Sequence, residues 1–161
     1  MDEKALAVLH ADVKGQMTLI DEVAGKLKER AAGLQAENEI QLESVAYQLH
    51  NLYGAVEELL KIIAGHFENQ VADASRWYIE LLRRMKQEIP GVRPALFSNQ
   101  TFALLNGLRS FRHFFRHAYT APIEYAQLVI NLEKAQQLLS MLHQDVARFL
   151  ERIGGVGSQP R

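Results

Sequence analysis

Apolar residues in the first part of the chain recur every three or four positions. The first run is Leu6, Leu9, Val13, Met17, Ile20, Ala24 and Leu27, a spacing that puts one side of an α-helix against a core. The stretch AAGLQAEN at 31–38 predicts a turn after it. The second run alternates spacings of four and three, as heptads do, over Val45, Leu49, Leu52, Val56, Leu59 and Ile63. A helix with such a seam packs along its length, which predicts a bundle.

Two further helices follow in the middle of the chain. A short third helix carries Trp77, Leu81 and Met85, and either Asp73 or Ser75 can cap its N-terminus. The two prolines of IPGVRP at 89–94 predict that it ends there. Ser98 or Asn99 is then expected to cap a fourth helix, which runs to about Tyr119.

The last helix has the most regular seam. Pro122 predicts a break before it, and Thr120 is a candidate for its cap. Its apolar positions are Tyr125, Leu128, Leu132, Ala135, Leu139, Leu142, Val146 and Phe149. No stretch alternates as a strand would. We therefore predict an all-α fold, an up-and-down and mostly antiparallel four-helix bundle with an additional short helix. Residues 1–153 form one domain in this prediction, and GGVGSQPR at 154–161 is a flexible tail.

Composition narrows the kinds of chemistry that the chain can support. It has 161 residues and no cysteine, which excludes zinc–thiolate sites, thiol catalysis and disulfide scaffolds. The N-terminus is acidic and unlike a signal peptide, and no apolar run is long enough to span a bilayer. We expect a cytoplasmic protein with no membrane partner. The net charge is −1, from 18 Lys and Arg against 19 Asp and Glu, so any case for nucleic-acid binding depends on a local patch.

Such a patch is RSFRHFFRHAY at 109–119. On a helical wheel, Leu104, Leu108, Phe111, Phe114, Phe115 and Ala118 fall on one side, which we expect to be core. The other side carries a basic arc of about 160°, with Leu105 as its one apolar residue; the arc consists of Arg109, Arg112, His113, Arg116, His117 and Tyr119. No Asp or Glu lies between Ala95 and Ile123. The arginines therefore repel one another unless they meet a bound anion, which we favour, or an acidic residue such as Glu57 or Glu58.

The spacing of Arg112 and His117 favours a dimer. His117 lies five positions after Arg112, which puts the two about 140° apart on an ideal helix. Within one chain they need not reach the same atom. Two copies of this helix that meet across a twofold axis can bring the arginine of one chain and the histidine of the other into one groove.

The motif R-x-x-x-x-H-x-Y, formed by Arg112, His117 and Tyr119, resembles the signature of the HEPN superfamily. It is most similar to that of the HepT toxins of the HepT–MntA type VII toxin–antitoxin systems. The resemblance extends over about residues 40–150, and Tyr78 departs from it, because histidine is expected after the tryptophan. The stretches that resemble HepT-like ribonuclease sequences in order and spacing are YQLHNLYGAVEELLKIIAGHFEN (47–69), RWYIELLRRM (76–85) and IPGVRPALFS (89–98).

This resemblance implies a metal-independent endoribonuclease that acts on tRNA or mRNA as a homodimer, with the motif lining a cleft between the subunits. It also implies an antitoxin partner, an MNT-type nucleotidyltransferase, which silences the toxin by adenylylation (AMPylation) of the motif tyrosine, here Tyr119. No cofactor is implied. A tyrosine that packs at an interface is the alternative for Tyr119.

The chemistry of the patch agrees with RNA cleavage, because RNA carries its own nucleophile, the 2′-OH. His117 can take or give a proton near neutral pH, and Arg112 can stabilise charge on phosphate oxygens. Arg109 and Arg116 are candidates for holding the RNA backbone. His113 can orient the pair or act as a second acid or base, and the alternative is a capping or packing histidine.

Two rival interpretations remain. A ferritin-like metal bundle needs Glu-x-x-His on facing helices, but no histidine here has glutamate three positions before it, and we predict no metal site. The other rival is a non-catalytic HEPN dimer that binds RNA or protein, and cleavage of tRNA in EDTA would distinguish it from the enzyme. The isolated histidines are assigned no role; they are His10, His50, His66 and His143.

Overall fold

The computed structural model describes residues 1–68, 77–117 and 120–156. The secondary structure of this part of the chain is helical, apart from an isolated bridge between Ile89 and Arg93. The helices are α1 (Glu3–Ala31), α2 (Glu39–Phe67), α3 (Trp77–Met85), α4 (Asn99–His117) and α5 (Tyr125–Val156). The predicted all-α bundle, with four long helices and one short one, is confirmed.

The helices begin where side chains can accept the free N–H groups of a first turn. Asp2 accepts from the Ala5 amide at 2.7 Å, and Asn38 accepts from the Gln41 amide at 3.0 Å. Gly33, with φ of 64°, allows the chain to turn between α1 and α2. The predicted caps of α3, Asp73 and Ser75, lie outside the described residues.

The start of α4 is fixed by a buried carboxylate of α5. Ser98 caps α4, as one of the two predicted alternatives, because its hydroxyl accepts from the Thr101 amide at 3.2 Å. Asp145 accepts from the Thr101 hydroxyl at 2.6 Å and from the Ser98 amide at 3.1 Å. Because Asp145 lies late in α5 and Thr101 lies early in α4, the two helices run antiparallel. This network fixes the position of α4 along the axis of α5.

The prediction for the start of α5 was wrong. Thr120 does not cap this helix, because the helix begins five residues later, at Tyr125. The first turn closes from the Leu128 amide to the Glu124 carbonyl at 3.0 Å. At the other end α5 continues to Val156, three residues into the segment predicted as a tail, and residues 157–161 lie outside the described part.

The core follows the α2 seam closely and the α5 seam less closely. All six seam residues of α2 are at most 1% exposed. In α5, Leu128, Leu142 and Phe149 are buried as predicted, but Tyr125 is 40% exposed and Leu138, outside the predicted seam, is fully buried. Because 3.6 residues make one turn, a long straight helix drifts away from a seven-residue repeat, and its buried stripe shifts accordingly.

The orientation of α4 differs from the helical-wheel prediction. Leu105, expected among the polar residues, is fully buried, and Phe114, expected in the core, is 46% exposed. Phe111 is buried as predicted, and Phe115 is half-buried. Since α4 packs against both α2 and α5, its inward side is determined by those two neighbours. A helical wheel that assigns every arginine to the solvent-exposed side therefore predicts the wrong inward side for α4.

Candidate functional site

The predicted site residues that the structure describes lie in the second half of α4 and differ in exposure. His113, Arg116 and His117 are exposed, and Arg109 is half-buried. Arg112 is more enclosed, because only 18% of its side chain is exposed. The predicted basic face therefore divides into an exposed group and one arginine that points toward α2.

Arg112 forms an ion pair inside the bundle. Its Nη1 donates to Glu57 Oε1 at 2.7 Å, and its guanidinium lies over the rings of Tyr53 and Tyr78 at 5.3 and 5.9 Å. The sequence left two partners open for this arginine, a bound anion or an acidic residue of the same chain. The structure shows the acidic residue, Glu57. Glu58 pairs with Lys61 instead, at 2.6 Å. The expectation that Arg112 faces outward was wrong, because a charge can be buried where it is paired.

Burial dominates the electrostatics of this pair. It raises the pKa of Glu57 above the usual range, and the Arg112 guanidinium opposes that rise only in part. Burial, together with the neighbouring Glu57 carboxylate, also raises the pKa of the Tyr53 hydroxyl. Arg112 is thus held by a carboxylate that the fold has largely removed from water.

His50 is a member of this site that sequence reasoning did not find. Its ring packs against that of Phe115 at 5.5 Å between centroids. Burial lowers the pKa of His50, and the charges of Arg112 and Arg116 lower it further. A signal was present in the sequence, because positions 50, 53 and 57 are three and four residues apart and form one polar stripe on α2.

Unsatisfied polar atoms concentrate at the same seam between α2 and α4. In the described part of the chain, the buried side-chain atoms without a hydrogen-bond partner are His50 Nδ1, Tyr53 Oη and Arg112 Nε. Buried polar groups are normally satisfied. The three exceptions all lie where the side chains of α2 meet Arg112 of α4.

The two predicted histidines of α4 lie side by side. The rings of His113 and His117 are 4.6 Å apart between centroids, as expected for side chains one turn apart. Arg109 donates to Asn106 of its own helix at 3.1 and 3.2 Å. Neither Arg109 nor Arg116 has an acidic partner among the described residues.

Some predicted relations are not present within one chain. No hydrogen bond, ion pair or ring contact joins Arg112 to His117 in the structure as described. Tyr119, the predicted site of adenylylation, lies outside the described residues. Over the described ranges, no group of three or more His, Asp or Glu side chains is placed to hold a metal ion, and no helix is long and apolar enough to cross a membrane.

A comparison of the sequence with family models identifies the family to which the chain belongs. Residues 44–153 match the family model described as HepT-like protein. The chain belongs to the HepT-like family of HEPN proteins. The match includes α3, α4 and nearly all of α2 and α5, and hence the described site residues, whereas α1 lies outside it. Curated proteins and solved structures give no significant match.

The HepT-like family is, in general, a family of HEPN-type ribonuclease toxins. The match thereby confirms the predicted resemblance to HepT proteins and the predicted HEPN-like fold. The catalytic assignments, the RNA and the antitoxin remain predictions.

Proposed function

We propose that this protein is a metal-independent endoribonuclease toxin that cleaves tRNA or mRNA at a cleft between two copies of α4. The observation that carries this proposal is the exposed surface of α4 in a HepT-like chain, where one arginine lies beside two histidines. Arg116, His113 and His117 are exposed and have no acidic partner in the described structure. A polyanion with a nucleophile of its own is the substrate that such a surface fits.

The reaction uses two proton transfers, one from the attacking 2′-OH and one to the leaving 5′-oxygen. His117 accepts the proton of the 2′-OH as that oxygen forms a bond to the adjacent phosphorus. The bond from phosphorus to the 5′-oxygen breaks, and this leaving oxygen takes up a proton. His113, whose ring lies 4.6 Å from that of His117, is the candidate for the second transfer. The products are a 2′,3′-cyclic phosphate and a 5′-hydroxyl, and no metal is consumed or required by this balance.

Arg112 contributes orientation and charge to this mechanism. Its ion pair with Glu57 fixes one edge of the guanidinium, so the other edge is held in one direction before the substrate arrives. Positioned charge stabilises a developing phosphorane more than mobile charge does. Arg109 and Arg116 hold the flanking phosphates in this proposal.

The test is cleavage of total tRNA by the purified protein in EDTA, with the product ends analysed. We expect 2′,3′-cyclic phosphate ends from wild type and none from His117→Ala, whose exposed side chain can be removed without unfolding the bundle. His143→Ala is the matched control, because His143 is an exposed histidine that pairs with exposed Asp21, at 2.7 Å, and lies outside the proposed site. Intact RNA with wild type, or full activity in His117→Ala, would contradict the proposal.

Regulation by an MNT-type nucleotidyltransferase antitoxin forms part of the proposal. Adenylylation of Tyr119 would add a negative phosphate two residues after His117, where it competes with RNA for the cations of α4. Mass spectrometry of protein produced together with such an enzyme should find AMP on the peptide that contains Tyr119. Tyr119→Phe should stay unmodified and toxic, and silencing of this variant as complete as that of wild type would exclude the mechanism.

A second candidate function is a non-catalytic RNA- or protein-binding HEPN dimer. The observation that favours it is the pairing of Arg112 with Glu57, which neutralises the motif arginine within its own chain. Under this alternative the protein retains RNA without cutting it. Binding in EDTA with no new RNA ends, for both wild type and His117→Ala, is the result it requires.

A further inference from the structure

A groove runs between α4 and α5 on the side of α4 away from Glu57. Its volume is about 510 Å³, within the range of about 300–1,000 Å³ that is typical of small-molecule sites. α4 contributes Gly107, Ser110, Phe111 and Phe114, and the other side is formed by Ile123, Glu124, Gln127, Asn131 and Lys134. None of these residues belongs to the site proposed for catalysis.

The groove opens beside the two histidines of α4. Ser110 precedes His113 by three residues, and Phe114 precedes His117 by three residues. Residues three apart are neighbours on the surface of a helix. A chain segment that contacts His117 can therefore reach the groove within the length of a single nucleotide.

Phe114 lies in this groove as an exposed aromatic ring. It is 46% exposed, whereas Phe111, one turn earlier and also in the lining, is only 8% exposed. An aromatic ring with an open face beside a group of cations is the arrangement on which proteins stack the bases of single-stranded nucleic acids.

Gly107 positions a cation in the same groove. A Cβ atom at this position would lie 2.8 Å from Lys134 Nζ and 3.1 Å from Lys134 Cδ. Glycine inside a helix is unfavourable compared with alanine, but here it leaves room for the lysine of α5 to cross α4. Among the described residues Lys134 has no acidic partner within ion-pair distance, although Glu124 also lines the groove.

The wall formed by α5 supplies a buried amide. Asn131 is 5% exposed, and one of its N–H groups donates to the Gln127 carbonyl at 2.8 Å. A side-chain amide has a second N–H group and a carbonyl oxygen. These are the groups that recognise the edge of a base.

We propose that the groove binds one unstacked base of the RNA substrate, adjacent to the phosphate at which His117 acts. The base stacks on Phe114, its edge faces Asn131, and Lys134 holds a flanking phosphate. This inference rests on the proposed function and adds the part of the protein that selects the RNA segment. It concerns single-stranded RNA, because a base in a duplex cannot leave its stack without an energetic cost.

The test measures the affinity of a fluorescently labelled single-stranded RNA decamer by anisotropy, in EDTA and in the His117→Ala background so that the RNA is not cut. Phe114→Ala should weaken binding about tenfold, the size expected for loss of one stacked base. Lys134→Gln should also weaken binding and should reduce its dependence on salt, because one phosphate contact is lost. Leu19→Ala and Lys26→Gln on α1 are matched controls, because both side chains are exposed there. They should bind as the background does.

Gly107→Ala is the most informative variant, because it keeps every side chain that contacts the base and moves only Lys134. It should weaken RNA binding less than Lys134→Gln does, because the displaced lysine keeps its charge. It should not lower the melting temperature, since alanine favours the helix. Unchanged affinity in both Phe114→Ala and Lys134→Gln would overturn the inference, whereas cleavage by the wild-type protein, and hence the proposed function, would stand. If the wild-type protein neither binds nor cleaves RNA, both the proposed function and this inference are wrong.

A second copy of the chain is the competing occupant of the groove. In that case Phe114→Ala would convert a dimer into a monomer in light scattering at the same concentration at which wild type is dimeric. That result would also overturn the inference, because the groove would then be an interface and not an RNA site.

Discussion

At the scale of single residues, the pairing of Arg112 with Glu57 is a balance between attraction and loss of water. Burial raises the pKa of Glu57 even though a guanidinium lies 2.7 Å away. The carboxylate is therefore costly to keep ionised, and the arginine is the main compensation for that cost. A pair of this kind contributes little net stability but makes the removal of one partner expensive. It is a means of orienting Arg112 more than of holding α2 against α4.

The first prediction concerns removal of the arginine. Arg112→Ala leaves Glu57 buried without its cation, and we expect a loss of about 3 kcal/mol in the free energy of unfolding at neutral pH. In this variant the folded pKa of Glu57 rises further above the ordinary value of 4.5. Because the folded state then binds more protons than the unfolded state, stability falls as pH rises through the folded pKa. Denaturant unfolding at pH 5 and pH 8 should show the larger loss at pH 8.

The control for this prediction is the double variant Arg112→Met with Glu57→Gln, which removes both charges and should recover most of the stability. Equal losses for Arg112→Ala at both pH values would mean that packing, and not the charge of Glu57, determines the effect.

The second prediction concerns His50, for which stability falls as the pH drops and not as it rises. Burial and the charges of Arg112 and Arg116 lower its pKa below the ordinary value of 6.5. The unfolded chain therefore binds a proton at a pH where the folded chain does not, and stability falls as pH drops below about 6.5. His50→Gln should show a shallower loss of unfolding free energy between pH 7 and pH 5 than wild type. The exposed pairs of His66 with Asp12 and of His143 with Asp21 are present in both proteins and cancel in the comparison. Parallel pH curves for the two proteins would contradict the assignment.

At the scale of helices, the predictions succeeded where one repeated spacing controlled burial. The α2 seam is entirely buried, because a heptad pattern places its apolar residues along one side of the helix. α2 also buries Ala46, Tyr53 and Leu60 outside the seam, since it packs against all four other helices. α4 was oriented wrongly, since its inward side depends on two neighbouring helices and on the partner that Glu57 offers to Arg112. His50 was missed because its significance depends on Phe115 and Arg116, which lie more than 60 residues away in sequence. Contacts of this kind between helices cannot be predicted from the spacing of residues within one helix.

The third prediction separates two phenylalanines that the helical wheel treats alike. Phe111 is 8% exposed and Phe114 is 46% exposed. Phe111→Ala should lower the free energy of unfolding by about 3–4 kcal/mol, as truncation of a core phenylalanine does. Phe114→Ala should cost about 1 kcal/mol, because its ring loses little burial in the single chain. Chemical denaturation of both variants under one set of conditions measures the difference. Similar losses would mean that Phe114 is covered in solution.

At the scale of the whole molecule, the site is divided between the faces of one helix. Arg112 points toward α2 and pairs there, while His113 and His117 remain exposed. The ideal offset of about 140° between Arg112 and His117 keeps them apart on a single α4. A twofold arrangement that brings two α4 helices together can supply each cleft with the arginine of one chain and the histidines of the other. The homodimer remains a prediction, and the division of the site between chains makes it testable through activity rather than through mass alone.

The last prediction uses mixed dimers. One chain carries His117→Ala, and the other carries Arg112→Met with Glu57→Gln, so that neither buries an unpaired charge. Each homodimer should be inactive. In a mixed dimer one cleft receives both defects and the other receives an intact Arg112 from one chain and an intact His117 from the other. Random pairing makes half of the dimers mixed, and with one active cleft of two, the mixture should regain about a quarter of wild-type RNA cleavage. If both groups act within one chain, every cleft contains a defect and the mixture stays inactive. Unfolding and refolding the two chains together, with each chain refolded alone as the control, therefore shows whether the catalytic pair spans the dimer, and an inactive mixture with confirmed mixed dimers would exclude the shared cleft.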